Sequence, residues 1–212
     1  MKVAPRLVRR GRPKDLGKRQ AILDAATQLF LAHGFAGASM DAVAARADVS
    51  KLTVYAHFAD KDGLFQAIVR ARCEADNRPE RFDDYLDLPP REALTEMGRN
   101  FLALLLSPDV LRLYAVITAE ARRRPKVAEL FYAAGPERLT ALFVDYFRRA
   151  SARGHYAIDD PGVAADQFLS LLKGLLHFRA TLNLRPRATA AQIAAQVEKS
   201  VTLFLCAYGR ER

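Results

Sequence analysis

Four side chains that donate hydrogen bonds recur within one short segment of the chain: Lys51, Thr53, Tyr55 and His57. They supply a cation, a hydroxyl, a phenol and an imidazole, which are groups that bind phosphate oxygens and the edges of nucleic-acid bases. Val54 and Phe58 lie about one helical turn apart in the same segment, so they can pack inward while the four polar side chains face outward. The spacing therefore predicts a short helix whose outer face contacts nucleic acid.

The residues just before this segment predict a second short helix with one apolar face: Met40, Val43, Ala44 and Ala47. Ser39 is placed to cap the start of that helix, and Ser50 is placed to cap the next one. Asp48 and Val49 leave room only for a tight turn between them. Two short helices joined in this way form a helix-turn-helix, here from Ser39 to Phe58, whose second helix fits the DNA major groove.

The segment resembles the TetR family of bacterial transcriptional regulators. The resemblance begins in the preceding helix and is carried in order by Gly34, Phe35, Val49, Ser50, Lys51, Thr53, Tyr55, His57, Phe58, Lys61, Leu64 and Phe65. It implies that the second helix contacts an operator and that Lys61 contacts a phosphate. Leu52 departs from the family, where this position is more often small, and a leucine here can touch a thymine methyl or a sugar edge.

The positive charge of the chain is concentrated at the N-terminus. The first 20 residues carry a net charge of +7, out of +9 for all 212 residues. Within them, the run Arg9-Arg10-Gly11-Arg12-Pro13-Lys14 resembles an AT-hook core, a flat element suited to a narrow A·T minor groove. A solvated tail without groove contacts is the alternative.

Together these features predict that the following residues contact DNA: Arg9, Arg10, Arg12, Ser39, Ser50, Lys51, Leu52, Thr53, Tyr55, His57 and Lys61.

Helical periodicity runs through the rest of the chain without strand-type alternation, so we predict an all-α fold of about nine to ten helices. Residues 1–15 form a basic arm that we expect to be flexible. Residues 16–76 form a three-helix helix-turn-helix domain, and Asp60 caps a further helix that begins at Lys61. The polar run from Glu74 to Asp87 is interpreted as a linker. Residues 88–212 form a helical bundle of five or six elements for effector binding and dimerisation.

The last two predicted helices carry more apolar surface than one packing face requires. A central position in the core is one explanation, but a C-terminal pair of this kind more economically forms a dimer interface, as the family resemblance implies. We predict that the following residues form the interface: Leu172, Leu176, Val197, Val201 and Phe204.

The bundle is also rich in aromatic residues. The resemblance implies a cavity for a small effector, which we predict to be a hydrophobic or aromatic molecule lined by Phe101, Tyr114, Phe143, Phe147, Phe168 and His177. An ordinary aromatic core is the alternative for any one of these side chains.

The chain lacks the spacings that catalysis or metal binding requires. No histidine lies in a metal-ligand or nucleophile-base pattern, and we find no glycine-rich phosphate loop, so we predict no catalytic residues, no metal and no cofactor. Cys73 and Cys206 stand far apart, which favours idle thiols over redox sensing. No apolar run approaches the roughly 20 residues of a membrane span, so we expect a cytoplasmic protein.

By resemblance, the protein is a homodimeric repressor that leaves a pseudo-palindromic DNA operator when a small molecule binds. One alternative is an architectural protein that coats A·T-rich DNA through its arm. A second, an enzyme acting on an apolar substrate in the bundle cavity, is less favoured because no catalytic pattern is present.

Overall fold

The computed structural model describes residues 16–75 and 77–210, and in these ranges the chain forms helices and no strand. The predicted all-α fold is confirmed. The eleven α-helices are α1 (Leu16–Gly37), α2 (Met40–Arg46), α3 (Lys51–His57), α4 (Lys61–Glu74), α5 (Pro79–Asp84), α6 (Pro90–Leu105), α7 (Pro108–Ala121), α8 (Pro125–Ala134), α9 (Pro136–Ala152), α10 (Pro161–Thr181) and α11 (Ala190–Tyr208). A 3-10 turn, Tyr85–Asp87, follows α5.

Helices α1 to α4 form the head of the molecule, and their starts are fixed by side-chain caps. The side chains of Ser39, Ser50 and Asp60 accept hydrogen bonds from the backbone N–H groups in the first turns of α2, α3 and α4. Each cap satisfies a donor that has no partner inside its helix, which is why the helix begins at that residue. All three caps are those that the sequence predicts.

The core of the head includes residues from outside α1 to α4. Its buried residues, among them Leu29, Val54 and Leu64, pack in one cluster with Leu113 of α7 and Val127 of α8. The sequence predicts a domain boundary between residues 75 and 88, a segment that lies between α4 and α6. The core nevertheless continues across that boundary, so α7 and α8 form part of the support of the head.

The segment predicted as a linker is partly helical and belongs to the C-terminal bundle. Phe82, Tyr85 and Leu86 are buried in the core of the bundle. The linker prediction was wrong for residues 79–87, because three apolar side chains at positions i, i+3 and i+4 anchor a segment whose other residues are mostly charged.

The C-terminal core is aromatic and is built mainly from α6, α9, α10 and α11. The Tyr146 and Tyr156 hydroxyls lie 3.0 Å apart in it. Burial raises the pKa of Tyr146 to about 12 and also raises the pKa of Tyr156, so both phenols stay protonated. Within the described residues, no single helix is long and apolar enough to span a membrane; α6 and α7 meet that test only as a pair bent by 60°.

Candidate DNA-binding surface and ligand cavity

Two of the four side chains predicted to face outward on α3, Lys51 and Tyr55, are exposed. Val54 is fully buried, whereas Lys51, Leu52 and Tyr55 are exposed, with Leu52 at 80%. The Lys51 ammonium lies 2.8 Å from the carboxylate of Asp41, and its hydrogen bond to that carboxylate raises the pKa of Lys51. Since both partners are exposed, this ion pair is weak and can be exchanged for a phosphate at little cost.

Thr53 and His57 are less exposed than the sequence spacing predicts. The Thr53 hydroxyl lies 2.8 Å from the hydroxyl of Ser50, and both residues belong to the capped first turn. His57 is half-buried, and its Nδ1 atom is buried without a hydrogen-bond partner among the described residues. A seven-residue helix packed on α2 turns only part of its circumference to the outside, so these two side chains lie at the edge of the exposed face.

Lys61, which the family resemblance places at a phosphate, lies beside the end of α1. Its ammonium donates hydrogen bonds to the backbone carbonyls of Phe35, at 2.9 Å, and Ala38, at 3.2 Å, and lies over the Phe35 ring. Carbonyls at the end of a helix lack intrahelical partners, and a cation placed there stabilises them. In this structure Lys61 therefore holds the end of α1 and does not extend freely toward a phosphate.

The remaining residues predicted to contact DNA are two caps and the arm. Ser39 and Ser50 are exposed beside the face of α3, and each uses its hydroxyl to cap a helix. Arg9, Arg10 and Arg12 lie outside the described residues.

Helix α4 connects the helix-turn-helix to the rest of the molecule. It begins at Lys61, next to the end of α1, and its far end reaches the C-terminal bundle. Three ion pairs join it to that half: Asp62 with Lys126 of α8, Arg72 with Asp109 of α7, and Glu74 with Arg138 of α9. A displacement of α4 would therefore change contacts both at the helix-turn-helix and in the C-terminal half.

A second contact joins α1 to α7. Gly34 interrupts α1 with φ 69° and ψ 178°, a conformation that is nearly restricted to glycine. The following N–H, that of Phe35, donates to the Glu120 carboxylate at 3.0 Å. A Cβ at residue 34 would come within 2.1 Å of the same carboxylate, so only glycine allows this approach. The sequence predicts that Gly34 stops the helix but not that it contacts Glu120.

A cavity of about 230 Å³ lies between α4 and the bundle. Its wall is mainly apolar and aromatic and contains no carboxylate. It is lined by Val69, Arg72, Cys73, Phe101, Leu104, Leu105, Val110, Leu111, Leu113, Tyr114, Phe131, Pro136, Leu139, Thr140, Leu169, Lys173 and His177.

The six residues predicted to line a pocket divide into two groups. Phe101, Tyr114 and His177 line the cavity, where burial and, secondarily, the charge of Lys173 lower the pKa of His177. The other three are fully buried core residues that do not line it: Phe143, Phe147 and Phe168. Aromatic density in a sequence marks burial, but it does not distinguish a filled core from the wall of a cavity.

Sequence reasoning missed the cationic lining of the cavity. Lys173 is half-buried, and it has no ion pair with a carboxylate of the described residues. A signal was available, because Lys173 interrupts the apolar run from Phe168 to Leu176.

The residues predicted for the dimer interface mostly pack inside their own chain. Leu172, Val197, Val201 and Phe204 are buried in the bundle core, and Leu176 is half-buried. These four assignments need correction, because helices that are apolar on two sides can bury either side. The side that stays exposed carries other residues, led by Leu175 at 76%, Phe178 and Leu203.

Helix α10 is kinked within this exposed face. Gly174 has φ 43° and ψ −157°, and the side-chain amide of Gln196 in α11 donates to the carbonyl of Leu171 at 2.7 Å. The kink frees that carbonyl, and Gln196 supplies the partner that the helix no longer provides. The α10–α11 face is formed by the half-buried Leu171 and by the exposed apolar side chains next to it on α10 and α11: Leu175, Phe178, Leu203 and Ala207.

No group of three His, Cys, Asp or Glu side chains that could hold a metal ion occurs within residues 16–75 and 77–210. Cys73, in the cavity wall, has its pKa raised to about 11, chiefly by burial, so it is a thiol at neutral pH.

Two domain families match the sequence. The AefR-like transcriptional repressor, C-terminal domain, matches residues 92–210, and the tetR family of bacterial regulatory proteins matches residues 22–68. An uncharacterized HTH-type transcriptional regulator of Bacillus subtilis, YdeS, is 47% identical over 53 residues, which are 25% of this chain and 27% of that protein.

Solved structures extend the similarity to nearly the whole chain. A TetR-family transcriptional regulator from Mesorhizobium loti has a TM-score of 0.76 and 29% identity, over 94% of this chain and 100% of that one. The flavonoid-responsive regulator FrrA has a TM-score of 0.70 and 33% identity, over 93% and 100%. With a capped helix-turn-helix at one end and the matching bundle at the other, the chain belongs to the TetR family of transcriptional regulators, which are DNA-binding proteins and not enzymes.

Proposed function

We propose that this protein is a homodimeric repressor that leaves a pseudo-palindromic operator when a small hydrophobic or aromatic effector binds. The observation that carries the proposal is the position of α4, which starts beside the DNA-binding surface and whose Val69, Arg72 and Cys73 line the cavity. The similarity to FrrA, a flavonoid-responsive regulator, supports an aromatic effector. Access to chromosomal DNA would place the protein in the cytoplasm.

Release would follow from differential binding. A ligand that fits the cavity better when α4 is displaced also favours a different position of the head, because Lys61 and Asp62 at the start of α4 are tied to α1 and α8. The operator then binds the liganded protein more weakly, by a coupling free energy of about 1 to 3 kcal/mol.

The dimer supports operator recognition through its symmetry. The α10–α11 face is apolar and exposed in the single chain, so a second copy could cover it with the same face. Two copies of α3 would then read two half-sites about 34 to 36 Å apart.

The basic arm extends this proposal to the DNA on either side of the operator. Arg9, Arg10 and Arg12 would enter the A·T-rich minor groove that flanks each half-site. The same arm is the basis of the alternative function, an architectural protein that coats A·T-rich DNA.

Footprinting on the DNA upstream of the gene for this protein tests these functions directly. We expect protection of a short two-fold symmetric site by the full-length protein. Deletion of residues 1–14 should weaken binding, flatten its salt dependence and remove a preference for A·T-rich over G·C-rich flanks. Protection that spreads along A·T-rich DNA without a symmetric site would contradict the repressor and favour the architectural protein.

A further inference from the structure

The cavity lining contains basic side chains but no carboxylate. Lys173 and His177 lie four residues apart on α10, on either side of the kink at Gly174, and the rest of the wall is mainly apolar and aromatic. The third basic group, Arg72, already pairs with Asp109, and no Asp or Glu lines the cavity. Lys173 is therefore a half-buried cation whose charge no carboxylate of the described residues balances.

The surface next to the cavity has the same sign. A wide groove shares Leu111 with the cavity wall and is lined by Arg112, Arg179, Arg185 and Arg187, again without a carboxylate in its lining. Arg112 pairs with Asp109, whereas the other three have no ion pair within the described part of the chain. Positive charge next to the cavity raises the local concentration of anions there.

Size and lining define the rest of the ligand. The cavity, at about 230 Å³, is smaller than the roughly 300 to 1,000 Å³ of pockets for drug-sized molecules. Tyr114 stands with its ring 6.5 Å from that of Phe131 and 6.4 Å from that of His177. A flat aromatic ligand can pack against the faces and edges of these rings.

We propose that the effector is a small aromatic carboxylate whose acid group pairs with Lys173 and accepts a hydrogen bond from His177, while its rings occupy the apolar part of the cavity. Lys173 is half-buried without an ion pair, and a carboxylate supplies the opposite charge together with strong hydrogen bonds. This inference rests on the proposed effector role of the cavity, and it specifies the chemistry of the molecule.

Calorimetry with a matched pair of compounds tests the charge. The anion 2-naphthoate and the neutral 2-naphthamide have nearly the same shape, so their affinities differ mainly through the carboxylate. We expect the wild-type protein to bind 2-naphthoate at least about tenfold more tightly. In Lys173→Met this preference should disappear, and in Lys173→Arg it should be largely retained. Lys199→Met, which removes an exposed lysine of α11 outside the cavity lining, should keep the full preference.

Three results would overturn the assignment: equal affinities of wild-type protein for the two compounds, a preference that survives in Lys173→Met, or no binding of either compound at about 1 mM. Fluorescence anisotropy with operator DNA keeps the test separate from the proposed function. If 2-naphthoate binds with a preference that depends on Lys173 but DNA binding does not change, the ligand class stands and the release mechanism fails. If the protein does not bind operator DNA, the repressor function fails while calorimetry still reports on the cavity.

Discussion

The head and the C-terminal bundle differ both in how their cores are closed and in what they leave exposed. The core of the bundle is built from residues of the bundle, whereas the core of the head also contains Leu113 of α7 and Val127 of α8. The head exposes polar and cationic groups on α3, and the bundle exposes an apolar face on α10 and α11. The polar and cationic groups on α3 suit binding to DNA, a hydrated polyanion, and the apolar α10–α11 face suits binding to a second protein surface. The shared core means that the head cannot change position without disturbing the half that holds the cavity.

The largest effect is expected from the apolar face of the bundle. Leu175→Glu combined with Leu203→Glu places charges where we propose that two copies meet, so it should convert dimers to monomers at micromolar concentration. Sedimentation velocity measures this change. Both residues are exposed in the single chain, so each chain should stay folded.

Tyr132→Glu is the matched control for that experiment, because Tyr132 is an exposed apolar side chain of α8 outside the α10–α11 face. It should leave the dimer intact. A wild-type protein that sediments as a monomer, or a double variant that still dimerises, would rule out this face as the interface.

The polar face of the head should give the next largest effect. Tyr55→Ala and Lys51→Ala remove two exposed side chains of α3, and each should cost about 1 to 3 kcal/mol of operator binding. Titrations at fixed salt measure the loss, and circular dichroism should show unchanged helix content. If the double variant binds within a factor of two of wild type, α3 does not read the operator.

The junction between the two halves is tested at Gly34. Gly34→Ala introduces a Cβ at a strained backbone conformation and against Glu120, so it should lower the free energy of unfolding by about 1 to 3 kcal/mol. Thermal and urea unfolding measure this change in the free energy of unfolding. Gly63→Ala, in regular α4 where a Cβ would make only ordinary contact, is the control and should be neutral or slightly stabilising. Equal effects of the two changes would show that the junction tolerates a side chain.

The smallest effect distinguishes two roles of Lys61. If it holds the carbonyls of Phe35 and Ala38 when DNA is bound, Lys61→Met should lower stability by about 0.5 to 1.5 kcal/mol and leave the salt dependence of DNA binding unchanged. Lys51→Met should leave stability unchanged and should reduce the slope of log affinity against log salt concentration by about 1. A reduced slope with unchanged stability for Lys61→Met would favour the phosphate contact implied by the family resemblance.

The sequence by itself determined the helix-turn-helix and its caps. Ser39, Ser50 and Asp60 each accept a hydrogen bond from a backbone N–H three residues away, so their effect depends on local spacing alone. The same holds for the inward positions of Val43 and Val54. A short helix with one apolar stripe has only one way to bury it, and the resemblance to the TetR family rests on this local pattern.

Only the tertiary structure decided which apolar side chains became core, cavity wall or exposed face in the bundle. Leu172 and Leu175 are both leucines of α10, but the first is fully buried and the second is 76% exposed. Helices apolar on two sides can be rotated without changing their hydrophobic pattern, so packing partners distant in sequence fix the orientation. For the same reason, the contact of Gly34 with Glu120 and the position of Lys173 in the cavity depend on helix packing, which local spacing does not specify.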